Sequence, residues 1–316
     1  MDHHWKVPKT IPPGPLLALM GVLAVAKRFG LAKPVFGFAL GQMGSPQAYA
    51  GAFGDYRANG SDVFAATFAK SGTNWLMQIA QQIAYYGDGE YDHIHELVPW
   101  PDAPFPVGPS LDDARQRHAS PTGLRVVKTH LPAEFIPYSP EATYLSILRD
   151  PKEVVVSGYY FLGGLVGALP DVTIADWLDL AHTPGGFLDG WAAHTAGFWA
   201  WRERPNVFVR GYGEMLADPG AAVDDIASVM GVTLDDRQRA RVLERSSFAY
   251  MKEHDAQFRP PPRPFAGAGS APEMVRRGKS GGSDEALTGE QRAAVDRFCR
   301  SRLAALGSDF PYDETF

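Results

Sequence analysis

The apolar positions of this chain fall into short uncharged runs separated by amphipathic stretches. Val63–Phe68 (VFAATF), Leu124–Lys128 (LRVVK), Tyr144–Leu148 (YLSIL) and Val207–Val209 (VFV) are nearly continuous in apolar residues. Runs of that length predict strands buried on both faces. In Asn74–Tyr86, by contrast, Trp75, Leu76, Ile79 and Ile83 recur at helical spacing. Further helices are predicted over Pro151–Phe161, Ile174–Ala181, Gly190–Glu203, Ala221–Met230, Arg237–Arg245 and Gly289–Leu306. Strands alternating with helices predict an α/β fold whose parallel sheet is covered on both faces.

The first sixty residues follow a different pattern. Leu16–Ala26 (LLALMGVLAVA) is an apolar run followed by Lys27 and Arg28. It falls short of the about 20 apolar residues needed to span a bilayer core. Lys6 and Lys9 upstream and Ala24-Val25-Ala26 would suit a secretory signal, but Pro12, Pro13 and Pro15 crowd its entry. A short buried helix starting near Pro15 is the preferred reading, and peripheral membrane contact through residues 16–29 the second. Residues 30–60, rich in Gly, Ala and Pro, read as an irregular lead-in. The chain thus divides into an N-terminal extension, 1–60, with a short apolar helix, and a domain, 61–316. The Pro/Gly-rich stretch Arg259–Gly282 reads as a mobile loop, because too little chain follows to build another domain.

Charge narrows the class of partner. Lys+Arg 30 against Asp+Glu 36 gives a net charge of −6 over 316 residues, which argues against a nucleic-acid partner. Apolar residues at 45% and charged residues at 21% exclude global disorder. Cys299 stands alone, so an intramolecular disulfide and a multi-cysteine metal cluster are both excluded. A reducing, cytoplasmic setting fits this best.

Ligands of open α/β sheets bind at the carboxyl ends of the strands. There the chain places Lys70-Ser71-Gly72-Thr73-Asn74-Trp75, then Lys128-Thr129-His130, then Arg149-Asp150-Pro151 with Ser157 two turns on, and finally Tyr212. Cations and hydroxyls on one edge of an acidic protein point to an anionic ligand. A lysine, hydroxyls, a glycine and a helix N-terminus make a phosphate cradle. Here the lysine precedes the glycine, whereas in the nucleotide P-loop it follows; the plain alternative is a strand–turn–helix with Thr73 as N-cap. Lys128 and His130 share a face if the strand continues. A cation beside an imidazole suits general-base chemistry at developing negative charge; the alternative is a hydrogen-bonded histidine at a strand edge. Arg149 and Ser157 offer a second phosphate site, against a surface salt bridge and a solvated hydroxyl. Arg276-Arg277-Gly278-Lys279-Ser280-Gly281-Gly282 sets cations among glycines. It reads either as a loop folding over a polyanion or as a basic surface loop.

KSGTNW at 70–75, KTHLP at 128–132, RDPKEVVVSGYYF at 149–161, SSFAYMK at 246–252 and VRRGKSGG at 275–282 together resemble the cytosolic-type sulfotransferases, in the family's order. The resemblance covers about residues 61–300. It implies a three-layer single domain with a P-loop-like phosphosulfate loop and a central parallel sheet flanked by helices. It also implies 3′-phosphoadenosine 5′-phosphosulfate (PAPS) as co-substrate, adenosine 3′,5′-bisphosphate as product, and no metal. Lys70, Ser71, Gly72, Thr73 and Asn74 match the phosphosulfate loop, with Trp75 against adenine. Lys128 matches the charge-stabilising lysine and His130 the catalytic base. Arg149 and Ser157 match the 3′-phosphate pair, with Ser157 also adjusting Lys70. Tyr212, Ser246 and Phe248 match positions around the adenine, and Arg276, Arg277 and Gly278 the C-terminal clamp. His194, Trp199 and Trp201 are read as core.

The sequence departs from the family pattern in places. Phe68-Ala69 replaces Tyr-Pro, and Asn74 replaces a second threonine. Gly281-Gly282-Ser283-Asp284-Glu285 replaces Gly-Asp-Trp-Lys-Asn, so the clamp lacks its tryptophan. The expected reaction is in-line sulfuryl transfer to the hydroxyl of a small acceptor. Aromatics at Tyr159–Phe161 and the apolar N-terminal run point to an apolar or aromatic one. A P-loop-type kinase using ATP is the rival enzyme, weakened by the lysine's position and by two separate phosphate sites. A non-catalytic nucleotide- or lipid-binding module is the other rival, favoured if His130 points away from the cleft.

Overall fold

The structure, a computed structural model, describes residues 21–22, 25–26, 28–31, 33–35, 37–38, 49–103, 107–113, 120–166, 172–260, 274–275 and 281–316. Four strands, β1 (Asp62–Ala66), β2 (Arg125–Thr129), β3 (Thr143–Leu148) and β4 (Val207–Gly211), pair in the order β2-β1-β3-β4. All pairings are parallel, with Val63 opposite both Val126 and Thr143. The first three strands are buried along their whole length, which is why they read as continuous runs and not as alternation. Strand order reverses between β1 and β3, so a crevice opens there at the carboxyl ends.

Helices cover both faces. They are α1 (Thr73–Ala84), α2 (Pro151–Val166), α3 (Ile174–Ala181), α4 (Phe187–Trp201) and α5 (Tyr212–Ala217). Then follow α6 (Pro219–Val229), α7 (Asp236–Arg245), α8 (Phe248–Glu253), α9 (Gly282–Ala286) and α10 (Gly289–Ala305). Val63 and Ala65 pack on Leu76, Ile79 and Ile83 of α1, with Ile226 of α6 and Val242 of α7 behind them. Phe64 and Ala66 face the other way, toward Tyr144 and Phe198, and the Phe64 and Tyr144 rings stack at 5.1 Å. Val295, Cys299 and Leu303 of α10 close a further cluster with α2 and α4.

Several boundaries differ from the sequence pattern. α1 ends at Ala84, because Tyr86 (φ 53) and Gly87 (φ 82) turn left-handed. α5 and α8, six residues each, are too short to show a period and were not expected. The Arg259–Gly282 loop ends sooner than read, since Gly281 already caps α9; residues 261–273 and 276–280 lie outside the described ones. The lead-in is not wholly irregular: backbone at 33–35, 37–38 and 49–50 is helical. Phe53 meets Phe64 edge-on at 5.9 Å, so this stretch joins the sheet core.

The described part of the N-terminal apolar run is helical at 21–22 and 25–26. Ala26 is buried, but Val22, Val25 and Phe29 are exposed, which corrects the expectation of a buried helix. At the far end of the sheet, Asp62 and Arg125 are register partners and form a fully buried ion pair at 2.8 Å. Tyr56 donates its hydroxyl to Asp62 Oδ2 at 2.5 Å, and Arg125 Nη1 donates to the Leu111 carbonyl at 2.8 Å. This network fixes the sheet away from the crevice.

Candidate active site

A cavity of about 1380 Å³ opens over the carboxyl ends of the strands. Pockets for a single small ligand usually occupy about 300–1,000 Å³, so this one has room for a pair. Lys70, Trp75, Lys128, His130, Arg149 and Ser157 all line it.

The first wall is the turn from β1 into α1. Lys70 (φ 69) and Gly72 (φ 98) are both left-handed, which turns successive N–H groups toward one side. Gly72, not Thr73, is the N-cap of α1, and no side chain caps the helix. Thr73 is the first helical residue, and its Oγ1 lies 2.5 Å from Thr67 Oγ1. Ser71 is buried, and its Oγ has no hydrogen-bond partner among the described residues. Lys70 Nζ sits 4.0 Å from the centre of the Phe161 ring. An uncapped helix start beside a buried, unused hydroxyl fits an anion.

The second wall crosses the switch point. Arg149 Nη1 donates to the Lys70 carbonyl at 2.9 Å, and the guanidinium lies 4.5 Å over the Tyr212 ring. Its Nη2 is 3.5 Å from Glu153, while the buried Nε is unpartnered among the described residues. Tyr212 meets Trp75 edge-on at 5.7 Å. Ser246 and Phe248 also line the cavity. The Ser246 hydroxyl donates to the Val242 carbonyl at 2.7 Å, whereas the Phe248 ring is exposed. Asn74 reaches the Phe258 carbonyl at 3.5 Å. Arg276, Arg277 and Gly278 lie outside the described residues. Just beyond them the N–H groups of Gly281 and Ser283 donate to Glu153 Oε1 at 3.2 and 2.7 Å. That carboxylate anchors the chain where the family pattern has tryptophan.

The third wall holds the acid–base groups. His130 Nδ1 lies 2.8 Å from the Thr67 carbonyl, and its backbone N–H donates to Asp102 Oδ2 at 2.9 Å. Burial, and then Lys128, hold the His130 imidazole well below its ordinary range. Lys128 is buried with its ammonium 3.3 Å from the centre of the Trp100 ring. Burial pushes Lys128 down to about 7, with Asp102 opposing the fall and Lys70 adding to it. His95 stacks on Trp100 at 5.7 Å and is likewise held neutral, first by burial and then by Lys128. His194 is fully buried against Phe198, its imidazole pushed down to about 3 by burial, and belongs to the core as expected.

The structure thus gathers Lys70, Trp75, Lys128, His130, Arg149, Ser157 and Tyr212 around one cavity. Thr67, Trp100, Asp102 and Glu153 were missed by the sequence reading. Only Glu153 carried a signal, its i+4 spacing from Arg149 on a helix start.

A sequence model of the sulfotransferase domain matches residues 60–307. The chain belongs to the sulfotransferase family. This sulfotransferase is 27% identical over 247 residues to 3-alpha-hydroxysteroid sulfotransferase of Cavia porcellus, covering 77% of this chain and 84% of the relative. It is also 27% identical over 271 residues to sulfotransferase 1C2 of Rattus norvegicus, covering 81% and 87%. Its fold matches that of retinol dehydratase in complex with androsterone and inactive cofactor PAP, with a TM-score of 0.65 at 18% identity over 84% of this chain and 88% of the other. Mouse sulfotransferase SULT7A1 complexed with PAP gives a TM-score of 0.59 at 20% identity over 82% and 90%. Among the described residues no helix of this sulfotransferase is long and apolar enough to cross a membrane.

Proposed function

We propose that this sulfotransferase moves the sulfuryl group of PAPS to the hydroxyl of a small apolar alcohol of hydroxysteroid type. The observation that carries this reading is the meeting of Lys70, Lys128 and His130 in one cavity, with His130 Nδ1 against the Thr67 carbonyl. The acceptor oxygen attacks sulfur in line, its proton passes to His130 Nε2, and the bond from sulfur to the 5′-phosphate oxygen breaks. Adenosine 3′,5′-bisphosphate leaves. Lys70 and Lys128 stabilise charge on the moving group and the bridging oxygen. Arg149 and Ser157 hold the 3′-phosphate, Trp75, Tyr212 and Phe248 pack around adenine, and Arg276, Arg277 and Gly278 complete the clamp. The unpartnered Ser71 Oγ and Arg149 Nε fit such a doubly charged donor.

Relatives named for hydroxysteroids and a fold neighbour holding androsterone support the acceptor class, as do Tyr49, Phe135 and Leu131 on the cavity wall. Residues 61–316 form the catalytic unit of a cytoplasmic enzyme, and the exposed Val22, Val25 and Phe29 offer peripheral contact with lipid. Thermal unfolding with adenosine 3′,5′-bisphosphate and with ATP, each with and without chelator, tests the donor site. At about a hundred times its dissociation constant the bisphosphate adds roughly 2.7 kcal/mol, without metal. A larger, metal-dependent shift with ATP would overturn the reading.

A further inference from the structure

Three contacts hold the Arg149 guanidinium at the switch point, and a fourth holds its backbone. Nη1 donates to the Lys70 carbonyl at 2.9 Å, one face lies 4.5 Å over the Tyr212 ring, and Nη2 stands 3.5 Å from Glu153 Oε2. The Trp191 indole N–H donates to the Arg149 carbonyl at 2.9 Å. Lys70 has φ 69, a conformation that a non-glycine residue seldom adopts. The Arg149 bond therefore also steadies the β1 turn.

Glu153 lines the same cavity, where a carboxylate would repel an anionic ligand unless the protein occupied both its oxygens. The side chain is only 8% exposed. Oε1 accepts the N–H groups of Gly281 and Ser283 at 3.2 and 2.7 Å, and Oε2 faces the guanidinium. Gly281, at φ 96, is the N-cap of α9 and offers that helix no side-chain cap. Glu153 supplies the missing acceptor from α2. One carboxylate thus joins the start of α9 to Arg149, and through Arg149 to the β1 turn.

We infer that Glu153 is a positioning residue for the 3′-phosphate end of the donor site: it sets the plane of the Arg149 guanidinium, and with it the preference for a nucleotide carrying a 3′-phosphate. The inference rests on the reading of Arg149 as a 3′-phosphate ligand. A guanidinium grips phosphate through paired N–H groups in one plane, so a rotated plane loses the grip while the charge stays.

Glu153→Gln keeps an oxygen for the two N–H groups but turns an amide donor toward Arg149. Isothermal titration would compare adenosine 3′,5′-bisphosphate with adenosine 5′-monophosphate, which lacks the 3′-phosphate. The wild type should prefer the bisphosphate. In E153Q the bisphosphate should bind about tenfold more weakly, the size of coupling within one hydrogen-bonded network, and the monophosphate as before. In an Arg149→Gln background the same change should cost nothing further. If E153Q does not fold, Glu153→Ser serves as the second neutral variant, read by the same ratio. An equal loss for both nucleotides would make Glu153 a brace of the fold and overturn the inference. A preference kept or raised, or a loss that persists in R149Q, would overturn it too. Each of those results leaves the donor reading standing. A wild type that binds the two nucleotides equally would overturn the donor reading, and the inference with it.

Discussion

The His130 ring hangs from the backbone of Thr67, its Nδ1 2.8 Å from the Thr67 carbonyl oxygen. A carbonyl only accepts, so this partner assigns the proton to Nδ1 and leaves Nε2 as the basic nitrogen. The Thr67 hydroxyl meets Thr73 at the start of α1, so the proposed base and the proposed donor loop are fastened to a single residue. The anchors proposed for the donor, in contrast, do not run through the imidazole. His130→Ala should lower single-turnover transfer roughly 10²–10⁴-fold, the usual range for a general base. Isothermal titration with adenosine 3′,5′-bisphosphate should change little. Transfer at the wild-type rate would remove His130 from the mechanism.

The same environment predicts the acid side of the pH profile. An ordinary imidazole protonates near 6.5, but burial and Lys128 move His130 well below that. The rate at saturating donor should therefore not decline as pH falls through the ordinary imidazole range. A decline centred at the ordinary value would mean that the ring is hydrated and unperturbed.

Lys128 should weaken the fold while serving the site. Its folded-state value is about 7 against an ordinary 10.5. Between those values the unfolded chain binds the extra proton, so this group makes stability rise with pH across that window. Below it the ammonium is charged in both states, and the full burial penalty is present. Lys128→Met removes that penalty, so its stability relative to the wild type should be greatest in mildly acidic solution and fall as pH rises through the window, with transfer lost. Urea unfolding at several pH values measures this, and a pH-independent change would contradict it.

At the opposite end of the sheet, Asp62 and Arg125 are buried at 0% and 3% exposure, too deep for either to be left alone. Asp62→Asn should destabilise by about 3–5 kcal/mol, since it leaves an uncompensated guanidinium. Replacing both with apolar residues should recover much of that loss. Donor affinity of whatever remains folded should be normal, because the pair sits away from the crevice. An unchanged urea midpoint for Asp62→Asn would show the pair to be inert.

The sheet and the cationic rim were legible because strands buried on both faces leave uninterrupted apolar runs, and because turns after such strands concentrate function. Lys70, Lys128, His130 and Arg149 could be placed for that reason. Thr67 and Asp102 could not. Thr67 acts through its carbonyl, which every residue has, and Asp102 lies 28 positions from His130 in the sequence, a separation that carries no period. The Asp62–Arg125 pair was hidden as well, since pairing depends on register between strands 63 residues apart. The short α5 and α8 left no periodicity to read, and the exposed face of Val22 and Val25 reverses what their hydrophobicity alone implies.

Gly72 packs the β1 turn against Tyr212 at the start of α5 and Ile147 of β3, and its replacement separates backbone strain from crowding. At φ +98 an L-residue is disfavoured by roughly 1–2 kcal/mol. A Cβ there would also lie 3.1 Å from Cδ2 and Cε2 of Tyr212 and 3.6 Å from Cδ1 of Ile147. The Tyr212 ring has little freedom to yield, because Arg149 stacks 4.5 Å above it and Trp75 meets its edge. Gly72→Ala should therefore lower the melting temperature and weaken binding of adenosine 3′,5′-bisphosphate together. Adding Tyr212→Leu removes the crowding but not the strained φ, so the double variant should regain part of the stability. Its donor affinity should stay low, because the ring proposed to pack at adenine is gone. Full recovery of stability would mean that crowding alone matters, and no recovery that backbone strain alone does. A Gly72→Ala protein with unchanged nucleotide affinity would show that the β1 turn does not hold the donor.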